Sequence, residues 1–78
     1  MQVIDTYIPG LNILEPRVFE DTRGKFIKTF NEEFFIQQNL NINIKETYYS
    51  ISHKDVIRGM HFQTPPFDHI KLVYVPNG

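Results

Sequence analysis

Arg58-Gly59-Met60-His61-Phe62-Gln63, followed by His69 and Lys71, is the densest group of side chains in the chain that can do chemistry. Side chains alternate between the two faces of a β-strand. In a strand over this run, His61 and Gln63 share one face, with Gly59 leaving space beside them, while Arg58, Met60 and Phe62 take the other. In the following run Lys71, Val73 and Val75 share a face opposite Ile70, Leu72 and Tyr74. If the two runs pair, His61 and Lys71 meet in one cavity. That combination suits proton abstraction beside a ketone: an imidazole near its working pKa takes the proton. An ammonium group aimed at the carbonyl oxygen holds the charge that develops there. Arg23 and Arg58 are the candidates for clamping a diphosphate through charge-assisted, bidentate hydrogen bonds.

Plainer readings compete with this one. A lone histidine in a strand is more often a packing or surface residue, and a lone lysine is usually solvated. A metal reading is also open, with His61, Gln63 and His69 as three ligands in a β-barrel pocket. Gln63, however, stands where a second histidine two residues away would be expected, which weakens that reading. His53 lies in a polar Ser-His-Lys-Asp turn and reads as exposed. Phe19, Phe26, Phe30, Phe34, Phe35, Tyr48 and Tyr49 read mainly as filling for a β core, with one or two available to stack on a base or sugar.

The elements that must position these groups are mostly short strands. Residues 2–8 and 11–19 read as strands separated by the turn pair Pro9-Gly10, and Pro16 marks an edge or a bulge. Glu20-Asp21-Thr22-Arg23-Gly24 is a polar loop, and residues 25–30 form another strand. Residues 31–39 are the one convincing helix, capped by Asn31 with Glu32 and Glu33 in the first turn. Residues 43–52, 55–63 and 69–75 read as three further strands, the last two joined by the Pro65-Pro66 loop. Pro76-Asn77-Gly78 is a turn signal with no strand after it, so the expectation is a domain truncated after a strand.

A chain of 78 residues allows one domain with a modest core, and it has no cysteine for disulfide, thiol or thiolate-metal chemistry. The net charge is −1 with acids and bases interspersed, which argues against a broad nucleic-acid surface but not against a local anion pocket. No apolar run approaches the roughly 20 residues of a membrane span. The N-terminal stretch lacks a basic start and an apolar core, so a cytoplasmic location is expected.

The stretch VIRGMHFQTPPFDHIKLVYV at residues 56–75 closely resembles the dTDP-4-dehydrorhamnose 3,5-epimerase family of cupin-fold enzymes. IPGLNILEPRVFEDTRGKFIKTFN at residues 8–31 is similar to that family's opening, with its aspartate-x-arginine-glycine loop. Two separated blocks in the expected order make the resemblance specific. It implies that residues 1–78 are the N-terminal part of an all-β, cupin-like jelly-roll or β-barrel domain with one short helix.

The resemblance further implies that His61 is the general base acting next to a C4 ketone and that Lys71 stabilises the enolate oxygen. Arg23 and Arg58 match arginines that bind the diphosphate and sugar, and Lys28, Glu46, Tyr48 and Gln63 fall among the expected substrate contacts. No metal or organic cofactor is implied. The implied partners are a nucleotide-diphosphate sugar and a second copy of the chain, and such a homodimer could place Arg23 in the neighbour's site. Lys28 stands where the family often has glutamate, and Glu46-Thr47-Tyr48 where it often has glutamine-aspartate-asparagine. Action at C3, C5 or both, and the identity of the nucleotide, therefore stay open. None of Tyr7, Tyr48, Tyr49 or Tyr74 matches the family's proton-returning tyrosine, so the chain on its own is expected to be inactive or nearly so. A sugar-nucleotide-binding module without chemistry and a small metal-binding cupin are the alternatives.

Overall fold

The computed structural model describes residues 1–41 and 43–78. It divides into two units, Met1–Ile44 and Lys45–Gly78. The first is built from two antiparallel hairpins and a helix. Strand β1 (Gln2–Asp5) pairs with β2 (Asn12–Glu15) in a register running from Gln2 opposite Glu15 to Asp5 opposite Asn12. Strand β3 (Val18–Asp21) pairs with β4 (Gly24–Ile27), Val18 lying opposite Ile27 and Asp21 opposite Gly24. The fold class is all-β with one short helix, and pairing joins only neighbours in sequence.

Local chemistry explains both hairpins. The first connection contains Pro9-Gly10, with Gly10 at φ +85°, in the left-handed region that suits glycine. The Thr6 hydroxyl donates to the Leu11 carbonyl at 2.8 Å and accepts the Ile8 N–H at 3.1 Å, so backbone groups left over by the turn are satisfied. At the turn end of that ladder Asn12 Nδ2 donates to Asp5 Oδ1 at 2.9 Å. The expected single run over 11–19 is instead two strands, broken at Pro16-Arg17. Proline has no N–H for a ladder and restricts the residue before it, so β2 ends at Glu15.

The helix α1 (Glu32–Gln37) forms inside the expected 31–39 span and is capped at both ends. Asn31 Oδ1 accepts the Phe34 N–H at 2.8 Å, and Glu32 and Glu33 sit where the helix dipole favours acids. At the other end Asn39 adopts φ 55°. Its N–H reaches the Ile36 carbonyl at 3.1 Å, and the Leu40 N–H reaches the Phe35 carbonyl at 2.8 Å. This pair of bonds is the Schellman closure, and Asn39 is a residue type that tolerates the left-handed position.

Phe35 is the one buried side chain among the described residues, at 4% exposure. The rings of Phe30 and Phe34 meet it edge-on, with centroids at 4.7 and 6.4 Å. The other aromatics expected in the core stay exposed. Phe19 and Phe26 face each other across the β3–β4 ladder at 6.4 Å, with the Arg17 guanidinium 4.7 Å from the Phe19 ring centre. Tyr48 and Tyr49 lie open to solvent. A two-stranded ribbon offers no second layer against which to bury such rings.

The second unit departs most from expectation. None of the runs 43–52, 55–63 and 69–75 forms a strand. The backbone bonds between the main-chain groups of residues 45–78 close two turns, Val56 N–H to the His53 carbonyl at 3.2 Å and Phe67 N–H to the Thr64 carbonyl at 2.9 Å. A strand needs a neighbour for its N–H and C=O groups. Here no segment pairs with these runs, and Ile57 and Met60 are consequently almost fully exposed. Among the described residues no helix is long and apolar enough to cross a membrane.

Two substitutions test the small core in denaturant unfolding. Phe35→Ala should cost about 3 kcal/mol by loss of buried area and packing, and Asn31→Ala about 1 kcal/mol by loss of the cap. A Phe35→Ala protein as stable as the parent would show that Phe35 is not the centre of this core.

Candidate active site

The candidate groups of the first unit sit at and beyond the β3–β4 turn. The register places Thr22 and Arg23 as a two-residue loop between Asp21 and Gly24, and Gly24 takes φ +126°. Asp21 Oδ1 accepts the Arg23 backbone N–H at 2.8 Å, an aspartate turn closing on itself. The same carboxylate grips the Arg23 side chain: Nη2 donates to Oδ2 at 2.6 Å, and Nε lies 3.2 Å from Oδ2 and 3.3 Å from Oδ1. Hydrogen bonds from the Arg23 side chain, then from its backbone, hold the Asp21 carboxyl below the usual aspartate range. The same side-chain pairing raises the Arg23 guanidinium. Lys28, the residue after β4, is exposed.

In the second unit, the Thr64–Phe67 turn at Pro65-Pro66 separates the two segments that carry the candidate base and cation. His61, Phe62 and Gln63 from one side and His69 and Lys71 from the other line a single open hollow of about 280 Å3. The strand pairing expected to bring His61 and Lys71 together does not form; the two residues share the lining of this hollow across a turn. Phe62 is a correction. Strand alternation would turn it away from His61 and Gln63, yet all three line the hollow, because the segment lacks the two-residue period of a strand.

The ring nitrogen Nδ1 of His69 lies 3.2 Å from the Phe67 carbonyl oxygen. A carbonyl can only accept, so Nδ1 carries the proton in this contact and Nε2 is left for other partners. Arg58 Nη2 donates to the Ile51 carbonyl at 3.3 Å, spanning the turn that holds His53. His53 itself is exposed there, as its polar surroundings imply. Glu46 and Tyr48 are exposed and stand outside the lining of the hollow. Among the described residues no three His, Asp or Glu side chains come together in a metal-holding group.

Sequence reasoning passed over two residues. Asp21 reads from the sequence only as a member of the polar aspartate-x-arginine-glycine loop, although aspartate three positions before glycine signals a turn that can also hold the intervening arginine. Phe62 carried no local signal at all.

A family model described as dTDP-4-dehydrorhamnose 3,5-epimerase matches residues 5–78. The chain belongs to the dTDP-4-dehydrorhamnose 3,5-epimerase family. It is 40% identical over 74 residues to the Shigella flexneri dTDP-4-dehydrorhamnose 3,5-epimerase, an alignment covering 94% of this chain and 41% of that protein. The Escherichia coli (strain K12) epimerase is 40% identical over 79 residues, covering 100% of this chain and 43% of that protein. The Methanothermobacter thermautotrophicus epimerase is 42% identical over 60 residues, covering 77% and 32%. The chain thus spans about two fifths of the length of the Shigella flexneri and Escherichia coli relatives. No solved structure matches it significantly.

The Asp21–Arg23 pair generates a titration test. A carboxyl with a depressed pKa in the folded state contributes stability above its unfolded pKa, and loses it as pH falls through the folded value. Asp21, followed by carboxyl NMR, should therefore titrate below the usual aspartate range, and Arg23→Ala should move it part of the way back, since the backbone N–H at position 23 remains. An Asp21 midpoint unmoved by Arg23→Ala would show that the pair does not persist in solution.

Proposed function

We propose that the intact protein carrying this chain epimerises a nucleotide-linked 4-keto-6-deoxy sugar at C3, C5 or both, in deoxysugar synthesis. The observation that carries this reading is the shared hollow, in which an imidazole and an ammonium group stand on either side of one tight turn. Family membership supplies the substrate class, through the dTDP-linked keto sugar in the family's name.

In this reading His61 removes the proton from the carbon beside the ketone, and the electron pair moves into the carbonyl as an enolate. Lys71 holds the enolate oxygen and offsets its charge as it forms. A proton delivered to the other face of the same carbon restores the ketone with inverted configuration, so protons move and no net oxidation occurs. The step calls for no redox cofactor. Gln63 lines the hollow beside the base and serves as a polar contact for the sugar. Arg58 and Arg23 serve the diphosphate, for which planar guanidinium groups are well shaped. Lys28, Glu46 and Tyr48 complete the set of proposed substrate contacts.

The wider reading includes a cupin jelly roll and a homodimer, both supported by the family resemblance. It also includes a cytoplasmic location, which fits a substrate built from nucleoside triphosphates.

The test is solvent exchange. The intact protein is incubated with the dTDP-4-keto-6-deoxy sugar in deuterated water, and deuterium at C3 and C5 is followed by NMR. His61→Ala should lower the exchange rate about 10²- to 10⁴-fold. Lys71→Ala should lower it about 10²- to 10³-fold. Binding without any deuterium uptake would replace the enzyme reading with a sugar-nucleotide-binding module. Full exchange in His61→Ala would remove that residue as the base.

A further inference from the structure

Arg23 is highly exposed, with 89% of its side chain open to solvent, so packing does not fix its direction. What fixes it is Asp21. A guanidinium offers two bidentate edges, one made by Nε with one Nη and the other by the two Nη atoms. Asp21 occupies the Nε–Nη2 edge and also holds the Arg23 backbone N–H. The remaining edge, Nη1 with the second N–H of Nη2, has no partner within that pair. We propose that Asp21 is a positioning residue that presents this second edge of Arg23 to the phosphates of a nucleoside diphosphate. The inference rests on the reading of Arg23 as a diphosphate ligand.

Two opposing effects decide what Asp21 does, and they differ in sign. By Coulomb's law alone, a carboxylate next to a phosphate site weakens anion binding, so its removal would tighten binding. As a splint, Asp21 lowers the conformational entropy that a long, solvent-exposed arginine must lose on binding, so its removal loosens binding. The second effect prevails in this geometry, because the carboxylate grips the side chain through both oxygens and anchors it to its own backbone.

The experiment is calorimetric titration of the intact protein with dTDP for the parent, Asp21→Asn, Arg23→Ala and the double variant. Asp21→Asn keeps an oxygen for the Arg23 backbone N–H and so preserves the turn, which an unchanged melting temperature checks. Arg23→Ala should weaken binding about ten-fold. Asp21→Asn should weaken it roughly three- to ten-fold in the parent and have no effect once Arg23 is gone. In turnover, Asp21→Asn should raise KM for the nucleotide sugar and leave kcat unchanged. Tighter or unchanged dTDP binding in Asp21→Asn, with Arg23→Ala still weakening it, would overturn the positioning role alone. An equal loss in both backgrounds would also overturn it, by showing that Asp21 acts without Arg23. Unchanged binding in Arg23→Ala would overturn the diphosphate reading and this inference with it.

Discussion

A β-strand persists only while a neighbour takes up its backbone N–H and C=O groups, and this requirement organises the whole chain. Where a tight turn delivers that neighbour within a few residues, strands form: Gly10 lies in the first connection, and Thr22-Arg23 ahead of Gly24 make the second. The loop-closure cost of such short connections is small, so local pairing wins. Between residues 45 and 78 the turns at His53–Val56 and Thr64–Phe67 form, but no ladder grows from them. Apolar side chains there remain in solvent, since only a paired sheet creates a face against which they can be buried.

The turns also carry the candidate groups. Arg23 stands in the two-residue β3–β4 loop, whose backbone is tied by the Asp21 carboxylate. His61 and Lys71 stand on the two sides of the Pro65-Pro66 turn and share one hollow with Gln63 and His69. Reactive side chains on turns are placed by short-range geometry, and rigid turn residues such as proline restrict that geometry before any sheet exists. The Asp21–Arg23 pair follows the same logic. Its contribution to stability is slight, because exposed pairs are screened by water, and its part in the structure is to set where the guanidinium lies.

The core illustrates how little burial the first unit achieves. Phe35 is enclosed because the capped helix α1 sets Phe34 and Phe35 beside Phe30. Phe19 and Phe26, of the same residue type, stay half open on a two-stranded ribbon and settle for each other and the Arg17 guanidinium.

The amino-acid sequence alone determined the features that depend on neighbours a few residues away. The Asn31-capped helix, the turns at Pro9-Gly10 and Pro65-Pro66, a polar connection within Glu20–Gly24, and the exposed His53 were all legible, because caps and turns are satisfied by atoms within about four residues. Family membership was legible too, from two motif blocks in order. Only the tertiary structure decided which apolar runs find a ladder partner, which phenylalanine is enclosed, and that Phe62 lines the hollow. Those outcomes turn on groups meeting in space, and a period-two pattern records which residues would share a face without recording whether a partner strand or a second layer is there to meet them.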